Sequence, residues 1–551
     1  MYCHLTNVYF PYLHPYFKRY KLLNMSKYIL SIDQGTTSTR CLFFDASEFT
    51  IKGAHRLEHR QRTPKPGWLE HDPEEIFANT LLTMNMAYES LTACIGCGGT
   101  DSTKNIPNVV CAGITNQRET TVAWSRKTGK PLYNAIVWSD LRTESLVTEF
   151  VKGKGKGDPS FLRKKCGLPC SPYFSAFKMA WMLGNVPAVS AASEDGDLMF
   201  GTIESWLIYR LSSGKSHITD VTNASRTMLM DISTRKFCPD LCNLFGIPIS
   251  ALPTIVANSG SFANITCDGI RHHNLRGLKI SGCIGDQQGA LFGHACFEPG
   301  QAKNTFGTGC FLLANVGEAP VYSKHGLLTT VGYQTDLNGP CTYALEGAIG
   351  GAGSTIQWMR DKLGFFSEAH ESDAIAASVP NTGGVVFVPA FGGLLAPHWR
   401  PDARASIQGM TFQTTKAHVV RAAFEGIVMQ VSDVIAAMVQ DAGVTFTILN
   451  VDGGMVASRI LMQMQADIAD VPVAVPSLLE TTGLGAALCA GIGAGIWGST
   501  AELKESMRKV AGTHNVGMKK VYRSVISSSE RGQRRRAFKK GLERSLNWAT
   551  L

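Results

Sequence analysis

The 551-residue sequence contains no Gly-x(4)-Gly-Lys-Ser/Thr, no His-Arg-Asp and no Asp-Phe-Gly. The first absence excludes a P-loop nucleotide enzyme, and the other two exclude a protein kinase. No secretory leader, with its charged start and apolar centre, is read at the beginning. A net basic excess is missing from the body of the chain, although the net charge is +9. Residues 1–24 carry Lys18, Arg19 and Lys21 with no acid, residues 519–544 hold ten Lys/Arg against Glu530 and Glu543, and the rest is left at −2. With its charge confined to the ends, the chain is not expected to bind nucleic acid. Cysteines are plentiful at 15, but the number is odd and ordered pairs are lacking. Cys94/Cys97, Cys166/Cys170 and Cys238/Cys242 have no second pair at zinc-site spacing, so free thiols in a reducing compartment are expected. Residues 481–501 carry no charge and are long enough to span a bilayer, but they hold six glycines and few large apolar residues. They read as a small-residue helix that lies close to a sheet or a nucleotide, so no integral membrane segment is expected.

What is present is a repeated strand–tip–helix pattern. Apolar runs at 28–33 and 41–45 flank Gln34-Gly35-Thr36-Thr37, which predicts a hairpin with a polar tip. A run at 109–115 ends in Asn116-Gln117-Arg118-Glu119, and one at 279–285 reaches Asp286 before a small-residue helix over 287–295. Residues 301–309 predict a second tip, Phe306-Gly307-Thr308-Gly309, and 449–452 ends in Gly453-Gly454 before a helix over 458–468. The two tips place backbone N–H groups and hydroxyls in a concavity suited to phosphate, with glycine supplying positive φ and close approach. A duplicated α/β plan with mixed sheets and a central cleft follows, divided near residue 294. Over 531–548, Phe538, Leu542 and Leu546 fall at helical spacing, which predicts a final amphipathic helix with a solvated basic face.

Longer segments carry a family resemblance over residues 28–500. They are Ser31-Ile32-Asp33-Gln34-Gly35-Thr36-Thr37-Ser38-Thr39-Arg40, Gly67-Trp68-Leu69-Glu70-His71-Asp72-Pro73, Ile114-Thr115-Asn116-Gln117-Arg118-Glu119-Thr120, Pro172-Tyr173-Phe174-Ser175, residues 220–227, Gly285-Asp286-Gln287-Gln288 and residues 304–311. In this order they resemble the FGGY carbohydrate kinases, and within them the branch that phosphorylates glycerol. The resemblance implies two actin-like (ribonuclease H-like) ATPase domains around a cleft. An extension covers 1–27, an N-terminal glycerol- and phosphate-binding domain 28–294, a C-terminal nucleotide-binding domain 295–518, and a basic helix and tail 519–551. It also implies ATP and Mg²⁺ as cofactors, glycerol as the other small-molecule partner, compatibility with a homodimer, and a role in glycerol catabolism and glycerolipid supply.

The implied roles are chemically sensible. Arg118 offers a fork of donors and Glu119 two acceptors for neighbouring hydroxyls. Tyr173 and Gln287 complete the polar contacts, while Trp138 and Phe311 shield the carbon chain. Asp286 is the implied general base and a metal neighbour; read alone, it is a helix N-cap. Asp33 is the implied magnesium anchor, through water. Thr36, Thr37, Ser38 and Arg40 would meet phosphates from one domain and Thr308 from the other, with Gly353, Gln357 and Gly454 lining the nucleotide. Ser458 stands where the family usually has Asn, which puts base recognition in question; Arg400 replaces a customary acid. The inhibitory Gly-Gly-x-Arg loop of bacterial relatives has no match over 270–277. The Ala549-Thr550-Leu551 tail matches a Ser-Lys-Leu signal only in part, and the strongest resemblance is to eukaryotic forms, including kinetoplastid ones that reside in glycosomes. A cytoplasmic or microbody location is therefore expected. Other acceptors on the same fold, and a non-catalytic nucleotide switch, are the alternatives; Asp286, Arg118 and Glu119 together disfavour the switch.

Overall fold

The computed structural model describes residues 26–96, 106–513 and 520–549. Most of the expected N-terminal extension and the last two residues of the Ala549-Thr550-Leu551 tail lie outside the described residues.

A six-stranded sheet forms the N-terminal half, in the order Ser259–Asn264, Lys279–Gly285, Asn108–Asn116, Lys27–Gln34, Ser38–Asp45, Ile51–Glu58. Lys27–Gln34 runs antiparallel to Ser38–Asp45 and parallel to Asn108–Asn116, which in turn runs parallel to Lys279–Gly285. The C-terminal half repeats this core within a seven-stranded sheet. There, Ala302–Phe306 forms a hairpin with Cys310–Gly317 and runs parallel to Leu449–Asp452. Parallel strands put their C-terminal ends on one edge, where open α/β sheets bind ligands. In the first sheet that edge carries Gln34, Asn116 and Gly285, paired across the strands. In the second it carries Thr305 and Asp452. The two edges face each other across the cleft.

The uncharged segment folds into the helix Thr481–Gly493, and its glycines act by close approach. An added Cβ would lie 1.9 Å from the Gly289 carbonyl at Gly485, and 2.2 Å from the Ala486 carbonyl at the facing strand residue Gly113. The helix therefore packs on the N-terminal sheet and beside the helix Asp286–Gly293, although it comes from the C-terminal half of the chain. Ser31 and Ser281 donate to the Gly483 and Ala490 carbonyls at 2.8 Å each. Among the described residues, one helix, Lys416–Ala442, has the length and apolarity to cross a membrane, but it is largely buried in the C-terminal core.

The final helix spans Ser528–Arg544, ending before the expected 548, with Phe538 and Leu542 buried. Its basic face is only partly solvated: Arg531 pairs with Asp470 at 2.7 Å, and Arg534 with Glu425 at 3.3 Å. Arg400, unexplained from sequence, pairs with Asp402 at 2.6 Å and donates to Asn547 at 2.9 Å, clasping the segment after this helix.

Candidate active site

Two adjoining cavities occupy the cleft. The smaller, about 240 Å³, brings together Thr36, Arg118, Glu119, Trp138, Tyr173, Asp286, Gln287, Thr308 and Phe311. The larger, about 420 Å³, holds Thr308, Gly353, Gln357, Gly454 and Ser458. Gly307 and Thr308 belong to both, so the second hairpin tip joins them.

Arg118 and Glu119 follow the central strand Asn108–Asn116, where the chain leaves the sheet. The expected free fork of Arg118 is not free. Its two terminal nitrogens donate to Glu346 at 2.6 and 2.7 Å, and one also reaches Gln288 at 3.1 Å. Its Nε faces the Asp286 carboxylate at 3.3 Å. Burial pushes the Glu346 pKa up, but Arg118 and Arg226 overcome it and hold the carboxyl at about 2. Glu119 adopts φ +60°, a costly backbone conformation for a non-glycine residue. Its Oε1 accepts from Arg226 at 2.6 Å, while Oε2 has no protein partner among the described residues. The Tyr173 hydroxyl also lacks a protein partner there, and its ring packs edge-on to Trp138 with centroids 5.5 Å apart. Trp138 meets Phe311 at 5.9 Å, so three rings close one side of the small cavity.

Asp286 is the first residue of its helix rather than the cap, which is Gly285, and its carboxylate accepts from the Gln287 amide at 2.7 Å. Its side chain is 25% exposed, enough to reach the cavity. Burial raises its pKa against the opposing pull of Arg118 and Lys303. Lys303 is wholly buried, donates to Gln287 and to Thr305 at 2.9 Å, and is lowered to about 8 by burial despite Asp452 and Asp286.

Several expected phosphate contacts are placed differently. The Thr36 hydroxyl accepts from Trp138 Nε1 at 2.9 Å and lines the small cavity. Thr37, Ser38, Arg40 and Asp33 line neither cavity. Ser38 opens the return strand, is buried, and accepts from Arg56 at 3.0 Å. Arg40 lies opposite Asp33 in the hairpin register, 3.7 Å from it, and donates to Glu480 at 2.6 Å. Burial raises the Asp33 pKa to about 6, with Arg40 opposing and Glu480 and Asp286 adding to the rise.

The tips also differ from expectation in their backbone. None of Gly35, Gly307 and Gly309 has positive φ. Close approach is the operative reason at Gly309, where a Cβ would lie 2.3 Å from the Ile349 carbonyl. Positive φ is found instead at Gly453, +91°, which also packs against Phe306.

Sequence reasoning assigned no role to Arg226, Glu346, Lys303 or Asp452. Arg226 carried a signal, since it sits inside the 220–227 segment, and so did Asp452, which ends the 449–452 run before Gly453-Gly454. Asp452 accepts from His294 at 2.8 Å and from Thr481 at 2.7 Å, which ties the C-terminal edge to the shared helix.

Models of the FGGY family of carbohydrate kinases match this architecture: its N-terminal domain over residues 28–293 and its C-terminal domain over 302–494. The chain belongs to the FGGY family. As a member of it, the chain is 46% identical to a glycerol kinase of Brucella anthropi over 527 residues, covering 95% of this chain and 100% of that one. It is also 46% identical to a glycerol kinase of Acidiphilium cryptum over 529 residues, with coverage of 95% and 100%. A solved Plasmodium falciparum glycerol kinase with ADP superposes on this FGGY chain at a TM-score of 0.84 and 41% identity, covering 96% of this chain and 99% of that one.

Proposed function

We propose that the protein is an ATP-dependent phosphotransferase that moves the γ-phosphoryl group of ATP to a terminal hydroxyl of glycerol, giving sn-glycerol 3-phosphate and ADP. The observation that carries this reading is the placement of Asp286. Its carboxylate opens on a small cavity, where Arg118, Glu119, Tyr173 and Gln287 stand among apolar walls, and which shares the Thr308 tip with a larger one. An acceptor in the first cavity then meets a nucleotide in the second at that tip.

The small cavity suits a short polyol. Glu119 Oε2 and the Tyr173 hydroxyl are unspent, and Arg118 Nε points to the same space. Glu346 grips the other end of the guanidinium, so this donor is oriented before substrate arrives. Trp138 and Phe311 confine the carbon chain and exclude water. Asp286 takes the proton of the attacking hydroxyl, and its raised pKa makes it a better acceptor for that proton. The transfer is in line, and positioning and electrostatics supply most of the catalysis. Gly307 and Thr308 hold the phosphates, while Gly353, Gln357 and Gly454 border the rest of the nucleotide. Closure of the two halves around bound substrate would keep water from the phosphoryl group.

Asp33 and Asp286 fit magnesium by donor type. Both are carboxylates, and Asp33 has a pKa raised by burial and by nearby acids, so a dication beside it relieves an existing penalty. Bound there through water, Mg²⁺ would neutralise phosphate charge. Both cavities are built within one chain, so the reaction needs no second copy; sedimentation decides whether a homodimer forms. Residence in the cytoplasm or a microbody belongs to the same proposal and is read by fractionation against organelle markers.

The test is coupled ADP release with glycerol, dihydroxyacetone, erythritol and xylulose. Glycerol should give the highest kcat/KM. ADP release no faster with glycerol than without an acceptor would end the proposal, and preference for xylulose would move the chain to another branch.

A further inference from the structure

The larger cavity has apolar walls, including Ile356, Phe424 and Met455, and an acid at its border, Asp373. Two groups hold that acid. Ser458 caps the helix Arg459–Ala469: its hydroxyl accepts from the Leu461 amide at 3.2 Å and donates to Asp373 Oδ1. The Ile460 amide gives the same oxygen a second bond at 3.3 Å. Asp373 Oδ2 has no hydrogen-bond partner among the described residues. One carboxylate oxygen is thus anchored twice, and the other is unspent.

We infer that Asp373 selects the nucleotide base, its Oδ2 accepting an N–H from the 6-amino group of adenine. This rests on reading the cavity as the ATP site. An ionised carboxylate only accepts, so it pairs with an amino group and repels the lone pairs of a 6-oxo purine. Ser458 therefore acts through Asp373, as a positioning residue whose own hydroxyl is already committed. Ile356, Phe424 and Met455 provide the apolar contact for the ring and leave the polar edge to Asp373.

The anchoring gives this inference a sharp consequence. In Asp373→Asn the Ser458 hydroxyl and the Ile460 amide still require an acceptor, so the amide oxygen must take the Oδ1 position. The amide nitrogen then replaces Oδ2 and presents a donor to the base. Adenine meets donor against donor, whereas hypoxanthine offers its 6-oxo group to that donor.

The experiment measures kcat/KM for ATP and ITP at saturating glycerol, and the affinities of ADP and IDP by calorimetry, for the parent and for Asp373→Asn. The parent should favour the adenine nucleotides by about 10- to 100-fold, the range of one hydrogen bond to a charged group. The variant should reverse the order. Equal handling of both bases by the parent, or an unchanged preference in the variant, would overturn the inference. If the variant does not fold, the parent's ratio alone decides it. In the parent, absence of glycerol turnover alongside a preference for ADP over IDP would sink the acceptor assignment and support the base assignment.

Discussion

Asp286 lies within the influence of two cations, Arg118 and Lys303, yet its pKa stays above the ordinary carboxylate value because burial outweighs them. A group held this way is stabilised in the cleft by its neighbours and still able to take a proton. Asp286→Asn keeps the volume and the bond from the Gln287 amide while removing the base. It should lower kcat by about 10²–10⁴-fold with little change in melting temperature. Stopped-flow or coupled turnover beside a thermal melt reads both, and an Asn variant with near-parental kcat would remove Asp286 from the base role. At this scale the sequence was legible where a motif was local. Asn116-Gln117-Arg118-Glu119 announced a polar cluster at a strand end, and Gly285-Asp286 an acid at another. Glu346 was not legible, because its partner Arg118 lies 228 residues away and a Glu in a β-strand has no signature of burial. Asp373 was hidden for the same reason: its meaning comes from Ser458, on a different helix.

Hairpins and helices were easier to read than the reasons for their glycines. Strands, tips and the helix after Asp286 could be placed from apolar runs ending at Gly or Asp, since that alternation depends on neighbours in sequence. The tip glycines were expected to supply positive φ, whereas Gly309 serves to let the Ile349 carbonyl approach, a contact set by a strand more than 30 residues on. The helix Thr481–Gly493 was legible as a close-packing element, but its neighbour was not. Gly485→Val tests that packing. The new side chain would start 1.9 Å from the Gly289 carbonyl, so the two helices must separate. A loss of about 3 kcal/mol or more is expected in urea unfolding, at the upper end for overpacking. A variant as stable as the parent would mean that the helices are not in contact as described.

The two halves of the molecule meet through buried charge as well as through glycine. Arg118 and Arg226 belong to the N-terminal half and Glu346 to the C-terminal sheet, so this triad is an electrostatic joint between them. Glu346 has a folded pKa of about 2, below its ordinary 4.5. Its contribution is therefore complete above about pH 4.5 and disappears as pH falls through 2. Glu346→Gln removes the anion that two buried guanidinium groups share, leaving Arg226 with Glu119 and Arg118 with Asp286. It should cost about 3–5 kcal/mol at pH 7, as expected when one partner of a buried pair is removed. The parent should lose stability between pH 5 and pH 2.5, and the variant should lose less over the same interval. Parallel acid titrations of both proteins would show this, and identical slopes would rule out Glu346 as the acid-sensitive joint.

The position of the helix Thr481–Gly493 also bears on how the chain can be divided. The N-terminal sheet is complete by residue 285, so a fragment over 26–293 contains every strand it needs. That fragment lacks the cover for one sheet face, including Gly113 and Gly282, which accept no other element as closely. Expressed alone it should be insoluble or molten, and co-expression with a segment supplying residues 302–513 should rescue it. Recovery of a soluble, cooperatively melting fragment would contradict this. A ribosome making the protein would thus hold a finished but uncovered sheet for nearly two hundred residues, a window in which chaperones have something to bind.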